Sequence, residues 1–281
     1  MKSDVTVIIP CFNDGAFILE AVNSILDQTL KAEKIIIIDD GSGIETINVL
    51  KGIKNERIQV IFQENKGVCK TRNTAISLAK TKYILNLDAD DYFENTFIEK
   101  AVKILNGNLN IGVVGCYYKT FGNKSSGNII KPTGGEVKNF LFKNNGLASC
   151  LFRKICWEQA SGFDEAMVNG YEDWEFWISV LKNNWKMHII AEPLFNYRIK
   201  ETSRDAAAFA NHDLELKTYI FNKHKQIYID NFESYIMQSL YATHQLKKNN
   251  FKIKETKEFK IGQIILAPFK FFKNKFASLI K

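Results

Sequence analysis

"KIIIIDDGS", Lys34 to Ser42, sets four isoleucines in a row and follows them with two aspartates, a glycine and a serine. A half-buried strand alternates apolar and polar residues. An unbroken apolar run reads instead as a strand covered on both faces, as in a parallel sheet. Similar runs stand at "VTVIIP" (5–10), "IQVIFQ" (58–63) and "YILNLD" (83–88). Helix-period segments separate them. "GAFILEAVNSILDQ" puts Phe17, Ala21, Ile25 and Leu26 on one face, and "GVCKTRNTAISLAK" does the same with Val68, Ala75, Ile76 and Ala79. Strands alternating with helices build right-handed βαβ units. Residues 1–105 therefore read as an open, doubly wound α/β half.

The pattern changes after Asn106. "IGVVGCYYKTF" is strand-like, 122–128 is a turn or short loop, and "KPTGGEVKNFLFKNN" is a loop leading to a short helix. "GLASCLFRK" enters a helix at Lys154–Gln159. "YEDWEFWISVLKN" is a helix with Trp174, Trp177, Ile178 and Leu181 inward, and "WKMHIIAEPLFNYRI" reads as a strand pair. From Asp205 the chain is mostly helical.

The 281 residues are 46% hydrophobic and 25% charged, enough apolar material for a sizeable core. The N-terminus lacks the apolar run and cleavage site of a signal peptide. No apolar run approaches the ~18 residues that span a bilayer. Five scattered cysteines form no CxxC and read as reduced thiols. Net charge is +7, with eight lysines against two glutamates in residues 251–281. The remaining body is nearly neutral, which argues against a nucleic-acid footprint.

In a doubly wound sheet, ligands bind at the carboxyl ends of the strands. Each of the first four strands leads there into functional side chains. The first ends in "PCFND" (Pro10, Phe12, Asn13, Asp14) and the second in "DDGS" (Asp39, Asp40). The third leads to "ENKGVCKTRN" with Arg72, and the fourth ends in "DADD" (Asp88, Asp90, Asp91). Each has a plainer reading. Asn13 or Asp14 could cap a helix, Asp39–Asp40 could form a turn, and Arg72 could be solvated. Three carboxylates closing a buried strand are the hardest to explain so, because they are costly unless a cation or donors meet them. Hard divalent ions such as Mn²⁺ or Mg²⁺ choose oxygen ligands, and Mg²⁺ often completes its shell with water and substrate phosphates. A second acidic pair, Glu172–Asp173, stands at a helix start. It is either a first-turn acid favoured by the dipole or a catalytic base beside aromatic walls.

Other devices are missing. There is no GxxxxGK[ST], "GSG" at 41–43 lacks the rest of a dinucleotide fingerprint, and the four histidines show no zinc spacing.

Taken in order, "VTVIIPCFN", "IIIIDDGS", "NKGVCKTRNTAI", "YILNLDADD" and "GYEDWEFW" resemble the motifs of family 2 glycosyltransferases with the GT-A fold, across roughly residues 4–200. The resemblance implies a mostly parallel central sheet with flanking helices. It also implies an inverting enzyme using a nucleotide-diphosphate-sugar donor, with UDP favoured, and Mn²⁺ or Mg²⁺. Residues 1–105 would be the nucleotide-binding half and 106–204 the acceptor half of one domain, with 205–281 a helical extension. Pro10 and Phe12 would border the nucleobase beside Asn13, although the family more often has Tyr at the position of Phe12. Asp40 would accept a base N–H and Asp39 would support its loop. Arg72 and Arg198 would approach base or diphosphate, and Asp88 the ribose. Asp90 would hold the metal, with Asp91 a further or indirect ligand. Asp173 would be the base, with Glu172 and Trp174 toward the acceptor. That acceptor would be a glycan or lipid-linked sugar, in cell-surface polysaccharide synthesis.

"FKIGQIILAPFKFFKNKFASLIK" (259–281) places Ile261, Ile264, Ile265, Phe269, Phe272, Phe276 and Leu279 at helical spacing among lysines, with a kink expected at Pro268. A basic amphipathic stretch suits an anionic membrane surface. A helix packed on the domain is the alternative. The expected location is the cytoplasm, peripheral to the inner face of the membrane if the tail binds there. Two rival readings are a sugar nucleotidyltransferase and a non-catalytic nucleotide-sugar binding module. The first usually carries a Gly-rich basic loop where this chain has "PCFNDG". A receiver domain is disfavoured because Gln63 and Glu64 stand where its phospho-accepting Asp would be.

Overall fold

A computed structural model describes residues 3–122, 127–200 and 204–267. The four apolar runs become β1 (Val5–Cys11), β2 (Lys34–Asp40), β3 (Ile58–Gln63) and β4 (Tyr83–Asn86). Between them lie α1 (Ile18–Leu26), α2 (Ile44–Gly52) and α3 (Val68–Leu78). The chain continues through β5 (Tyr92–Phe93), α4 (Phe97–Gly107), β6 (Ile111–Gly122) and β7 (Ile129–Ile130). A 3₁₀ turn (Val137–Asn139), β8 (Leu151–Arg153), α5 (Lys154–Ala160), α6 (Glu172–Leu181) and β9 (Lys186–Ile199) follow. Helices α7 (Arg204–Lys223), α8 (Lys225–Asp230) and α9 (Phe232–Glu255) come next.

Strands order as β3-β2-β1-β4-β8-β6-β9-β5, with β7 beside β6. The first four are parallel neighbours, and so are β6 and β9, while β8 is antiparallel to both β4 and β6. Because β2 and β4 lie on opposite sides of β1, the chain reverses its direction of travel across the sheet there. That reversal opens a crevice at the carboxyl ends of β1 and β4.

The isoleucine run of β2 explains the layers. Ile35 and Ile37 face a core shared with α1 and α4 through Ile18, Ile25, Phe97 and Ala101. Ile36 and Ile38 face the opposite core, shared with α3 and α6 through Ile76, Phe176 and Trp177. Both faces are covered, and each fully buried isoleucine contributes on the order of 1.5–3 kcal/mol. The same expectation fails for β3. It is an edge strand, and its Phe62 is exposed.

One further expectation is corrected. Residues 186–199 form one long strand rather than a strand pair, because β9 follows β6 along its length and absorbs register shifts near Cys116–Tyr118. The chain divides into compact units at Met1–Asp230 and Asn231–Lys281. The first unit keeps α7 and α8 because Leu216 and Ile220 are buried in the α6-side core and the Tyr228 hydroxyl donates to the Leu141 carbonyl at 3.0 Å. In the second unit, α9 exposes Met237, Leu240, Tyr241, Leu246 and Phe251. Residues 257–267 continue as helix with Ile261, Ile264 and Ile265 exposed. The expected kink at Pro268 and the apolar residues from Phe269 to Leu279 lie outside the described residues, as do 123–126 of the expected turn.

Candidate active site

A cavity of about 630 Å³ opens at the β1/β4 crevice. Its first wall comes from the ends of β1 and β2. Phe12 is 50% exposed and presents a ring to the cavity beside Pro10. Asn13 takes a left-handed backbone (φ 59°). Its N–H donates to Ser42 Oγ (2.9 Å) and its Oδ1 accepts from Gly43 N–H (2.8 Å). It therefore staples two loops together and does not line the cavity. Asp39 is buried behind them, and its Oδ2 accepts from Ser42 N–H at 3.3 Å. Asp40 does line the cavity, yet its carboxylate already accepts Gln63 Nε2 (2.7 Å), Lys66 N–H (2.8 Å) and Gly67 N–H (2.9 Å). Those bonds fold the 64–67 loop over the cavity's edge. Gly41 allows the approach: its φ is +80°, and a Cβ there would meet Asn65 N at 2.8 Å.

The second wall is the acidic turn after β4. Three carboxylates in four positions repel one another, and each has a different partner. Asp88 Oδ1 accepts from Arg72 Nη2 at 2.7 Å. Asp91 is buried, and its Oδ1 accepts the Arg198 N–H at 2.8 Å. Asp90 Oδ2 lies 2.7 Å from Lys200 Nζ, which also reaches Asp14 Oδ1 at 2.6 Å. Burial, with Asp90 and Asp88 nearby, pushes the Asp91 carboxyl well above the usual range. Burial also raises Asp90, against the pull of Lys200.

Arg72 is the structural centre. Only 2% exposed, it gives Nη2 to Asp88 and Nη1 to Glu172 Oε1 (3.0 Å). Burial opposes its charge, but the two carboxylates outweigh that and hold its pKa above the ordinary value. Arg198 is otherwise engaged. Its guanidinium lies between the Phe17 and Phe121 rings (4.4 and 4.3 Å), donates from Nε to the Asp90 carbonyl and pairs with Glu20. It braces the acidic turn.

The third wall is the start of α6. Gly170 (φ +121°) and left-handed Tyr171 turn the chain into the helix. Asp173 then faces the cavity, held by Asn144 Nδ2 donating to its Oδ2 at 2.8 Å. A carboxylate in the first helical turn is favoured by the helix dipole. Trp174, expected on the acceptor side, lies in the core instead. It is 5% exposed and its indole N–H donates to the Phe140 carbonyl at 2.6 Å.

Of the residues singled out from sequence, Pro10, Phe12, Asp40, Arg72, Asp88, Asp90, Asp91, Glu172, Asp173 and Arg198 meet in this cavity, whereas Asn13, Asp39 and Trp174 stand behind or away from it. Sequence reasoning missed Lys200 and Asn144. Lys200 stands two residues after Arg198, so it shares a side of an extended strand, and that alternation was a usable signal. Asn144 carries none. Asp14, considered as a helix cap, contributes only its carbonyl to the start of α1 and spends its carboxylate on Lys200. The Cys11 thiol in the wall is pushed up to about 12 by burial, so it is no nucleophile at neutral pH.

A divalent ion fits this donor set in a limited way. Asp14 and Asp90 already surround one cation, the Lys200 ammonium, with hard oxygens. Among the described residues, no group of three or more His, Cys, Asp or Glu side chains is placed to hold an ion. The chemistry thus suits an ion that takes one or two carboxylates here and its other ligands from water and phosphate.

The chain matches the model of glycosyl transferase family 2 over residues 6–155. It is 28% identical over 216 residues to an uncharacterized glycosyltransferase of Methanocaldococcus jannaschii, covering 70% of this chain and 71% of that protein. It is 30% identical over 182 residues to chondroitin synthase of Pasteurella multocida, covering 60% of this chain but 18% of that enzyme. A crystal structure of S. aureus TarS 1–349 in complex with UDP-GlcNAc superposes with a TM-score of 0.62 at 20% identity, over 74% of this chain and 61% of that one. At that identity the likeness concerns the fold. The chain thus spans only part of several of the proteins it matches. No helix among the described residues is long and apolar enough to cross a membrane.

Proposed function

This chain belongs to glycosyl transferase family 2 and is a glycosyltransferase of GT-A fold; on that premise we propose that it uses a UDP-sugar, with Mn²⁺ or Mg²⁺, to glycosylate a hydroxyl of a glycan or lipid-linked acceptor with inversion. The observation that carries the reading is the meeting of Asp88 and Asp90, Arg72 and Asp173 in one cavity at the switch point of the sheet. TarS, a structural neighbour, is described with UDP and with UDP-GlcNAc. Chondroitin synthase and a teichuronic acid glycosyltransferase of Bacillus subtilis are among the relatives. These point toward cell-surface polysaccharide as the product class.

The roles we assign rest on the family resemblance and are supported by each residue's place in the cavity. Phe12 offers a ring for the nucleobase. Asp40 has one acceptor site beyond its three internal bonds and shapes the loop that bounds the base. Asp88, fixed by Arg72, meets the ribose. Asp90 would hold the divalent ion, which when bound supplies Lewis-acid stabilisation of the leaving diphosphate. Asp173, oriented by Asn144, takes the proton from the acceptor hydroxyl. The hydroxyl oxygen then attacks the anomeric carbon from the face opposite the nucleotide, and configuration inverts. Glu172 does not face the acceptor as a free acid. It ties the base-bearing turn to Arg72.

The basic tail, 259–281, suits peripheral attachment to an anionic membrane at the cytoplasmic face. Exposed Ile261, Ile264 and Ile265 beside Lys257 and Lys260 support that reading. To test the activity, the chain is incubated with a panel of nucleotide sugars and glycan acceptors in Mn²⁺. Product is analysed by mass spectrometry and the anomeric configuration by NMR. The inverted product from a UDP-sugar is expected. A retained configuration, or turnover confined to nucleotidyl transfer, overturns the proposal.

A further inference from the structure

The third basic partner of the site is the informative one. Arg72 belongs to Asp88 and Glu172, and Arg198 is held between two phenyl rings. Lys200 has no comparable cage. Its ammonium touches Asp14 Oδ1 and Asp90 Oδ2 at 2.6 and 2.7 Å, from a side chain 31% exposed, with the Phe17 ring 5.3 Å away. It lines the same cavity as Asp88, Asp90 and Asp173.

We propose that Lys200 is the site's resident counter-cation, exchanged for the divalent ion when the donor arrives. The reasoning concerns lone pairs. The Asp90 oxygen that accepts from the ammonium cannot at the same time bind a metal through that lone pair. Without any cation, Asp90 would stand unneutralised beside Asp88, Asp91 and Asp14, and like charges at that spacing are costly. An internal ammonium neutralises the turn in the donor-free protein and keeps Asp90 in place. It also competes with free metal, so the ion binds well only when a diphosphate brings further ligands. Lys200 is thus a positioning residue that couples metal binding to donor binding. The inference rests on the reading of Asp90 as a metal ligand.

The test is Mn²⁺ binding, read from the EPR signal of the free aquo ion, without and then with UDP. Wild type, Lys200→Met, Lys200→Arg and Asp90→Asn are compared in the full chain. Lys200→Met should bind Mn²⁺ without nucleotide roughly 2- to 5-fold more tightly, the scale of losing a partly exposed ion pair. Lys200→Arg, which keeps the charge, should stay near wild type. Equal or weaker Mn²⁺ binding in Lys200→Met, while wild type binds Mn²⁺ with UDP and Asp90→Asn does not, overturns the exchange and leaves the metal reading standing. Absence of Mn²⁺ binding in wild type and Lys200→Met, with and without UDP, overturns both.

Discussion

Arg72 Nη1 lies 3.0 Å from Glu172 Oε1, so one buried guanidinium joins the helix after β3 to the first turn of α6, a hundred residues later. Through Nη2 the same group fixes Asp88. The acidic turn after β4 and the first turn of α6 are thereby held by one side chain. Arg72→Ala leaves two carboxylates without their cation. Breaking a buried pair this way costs about 3–5 kcal/mol. Urea unfolding should show that loss, and a double-mutant cycle with Glu172→Gln should show coupling. A loss below about 1 kcal/mol would mean that the pairing is incidental.

Asp90→Ala and Asp173→Asn should each lower turnover by at least ~10²-fold, the lower end of general acid–base effects. Nucleotide binding separates them. Asp90→Ala should weaken metal-dependent binding, while Asp173→Asn should leave it nearly unchanged, since the proposed role of Asp173 is toward the acceptor. Near-normal turnover in Asp173→Asn removes it from the role of base.

Much of this was legible in the sequence, and the exceptions have a common cause. β2 and β3 run between the residues their apolar runs mark, because a strand's core face is written in adjacent residues. The clusters "DDGS" and "DADD" reach the cavity edge because strand ends fix where loops begin. What the sequence hides is partner choice across long separations. Lys200 meets Asp14 across 186 positions, and no local pattern records that pairing. Trp174 fails for a local reason: neighbours on a helix point about 100° apart, so Asp173 faces the cavity while Trp174 faces the core.

Glu175, next on that helix, is fully buried and makes stability depend on pH. Its Oε1 meets Ser179 Oγ, His224 Nε2 and Lys223 Nζ, each at 2.8 Å. Burial opposes its charge, yet the hydrogen bonds from His224 and Lys223 outweigh that and hold its carboxyl below the usual range. A lowered folded pKa contributes stability that is present above the unfolded value, about 4.3, and lost as pH falls through the folded value. Glu175→Gln should therefore melt below wild type at pH 7, and the gap should narrow below about pH 4. A gap that widens on acidification would reverse the assignment.

The tail is tested with vesicles. Protein lacking 259–281 should lose sedimentation with phosphatidylglycerol vesicles, while neither form sediments with neutral phosphatidylcholine. Unchanged sedimentation after the deletion removes the membrane role from this segment.

The most direct measurement is calorimetric titration of UDP into the protein with Mn²⁺ and then with EDTA, for wild type and Asp90→Ala. The acidic turn after β4 should make nucleotide affinity depend on the ion, and Asp90→Ala should abolish that dependence. Tight UDP binding that ignores both chelation and the substitution would contradict the account at its base.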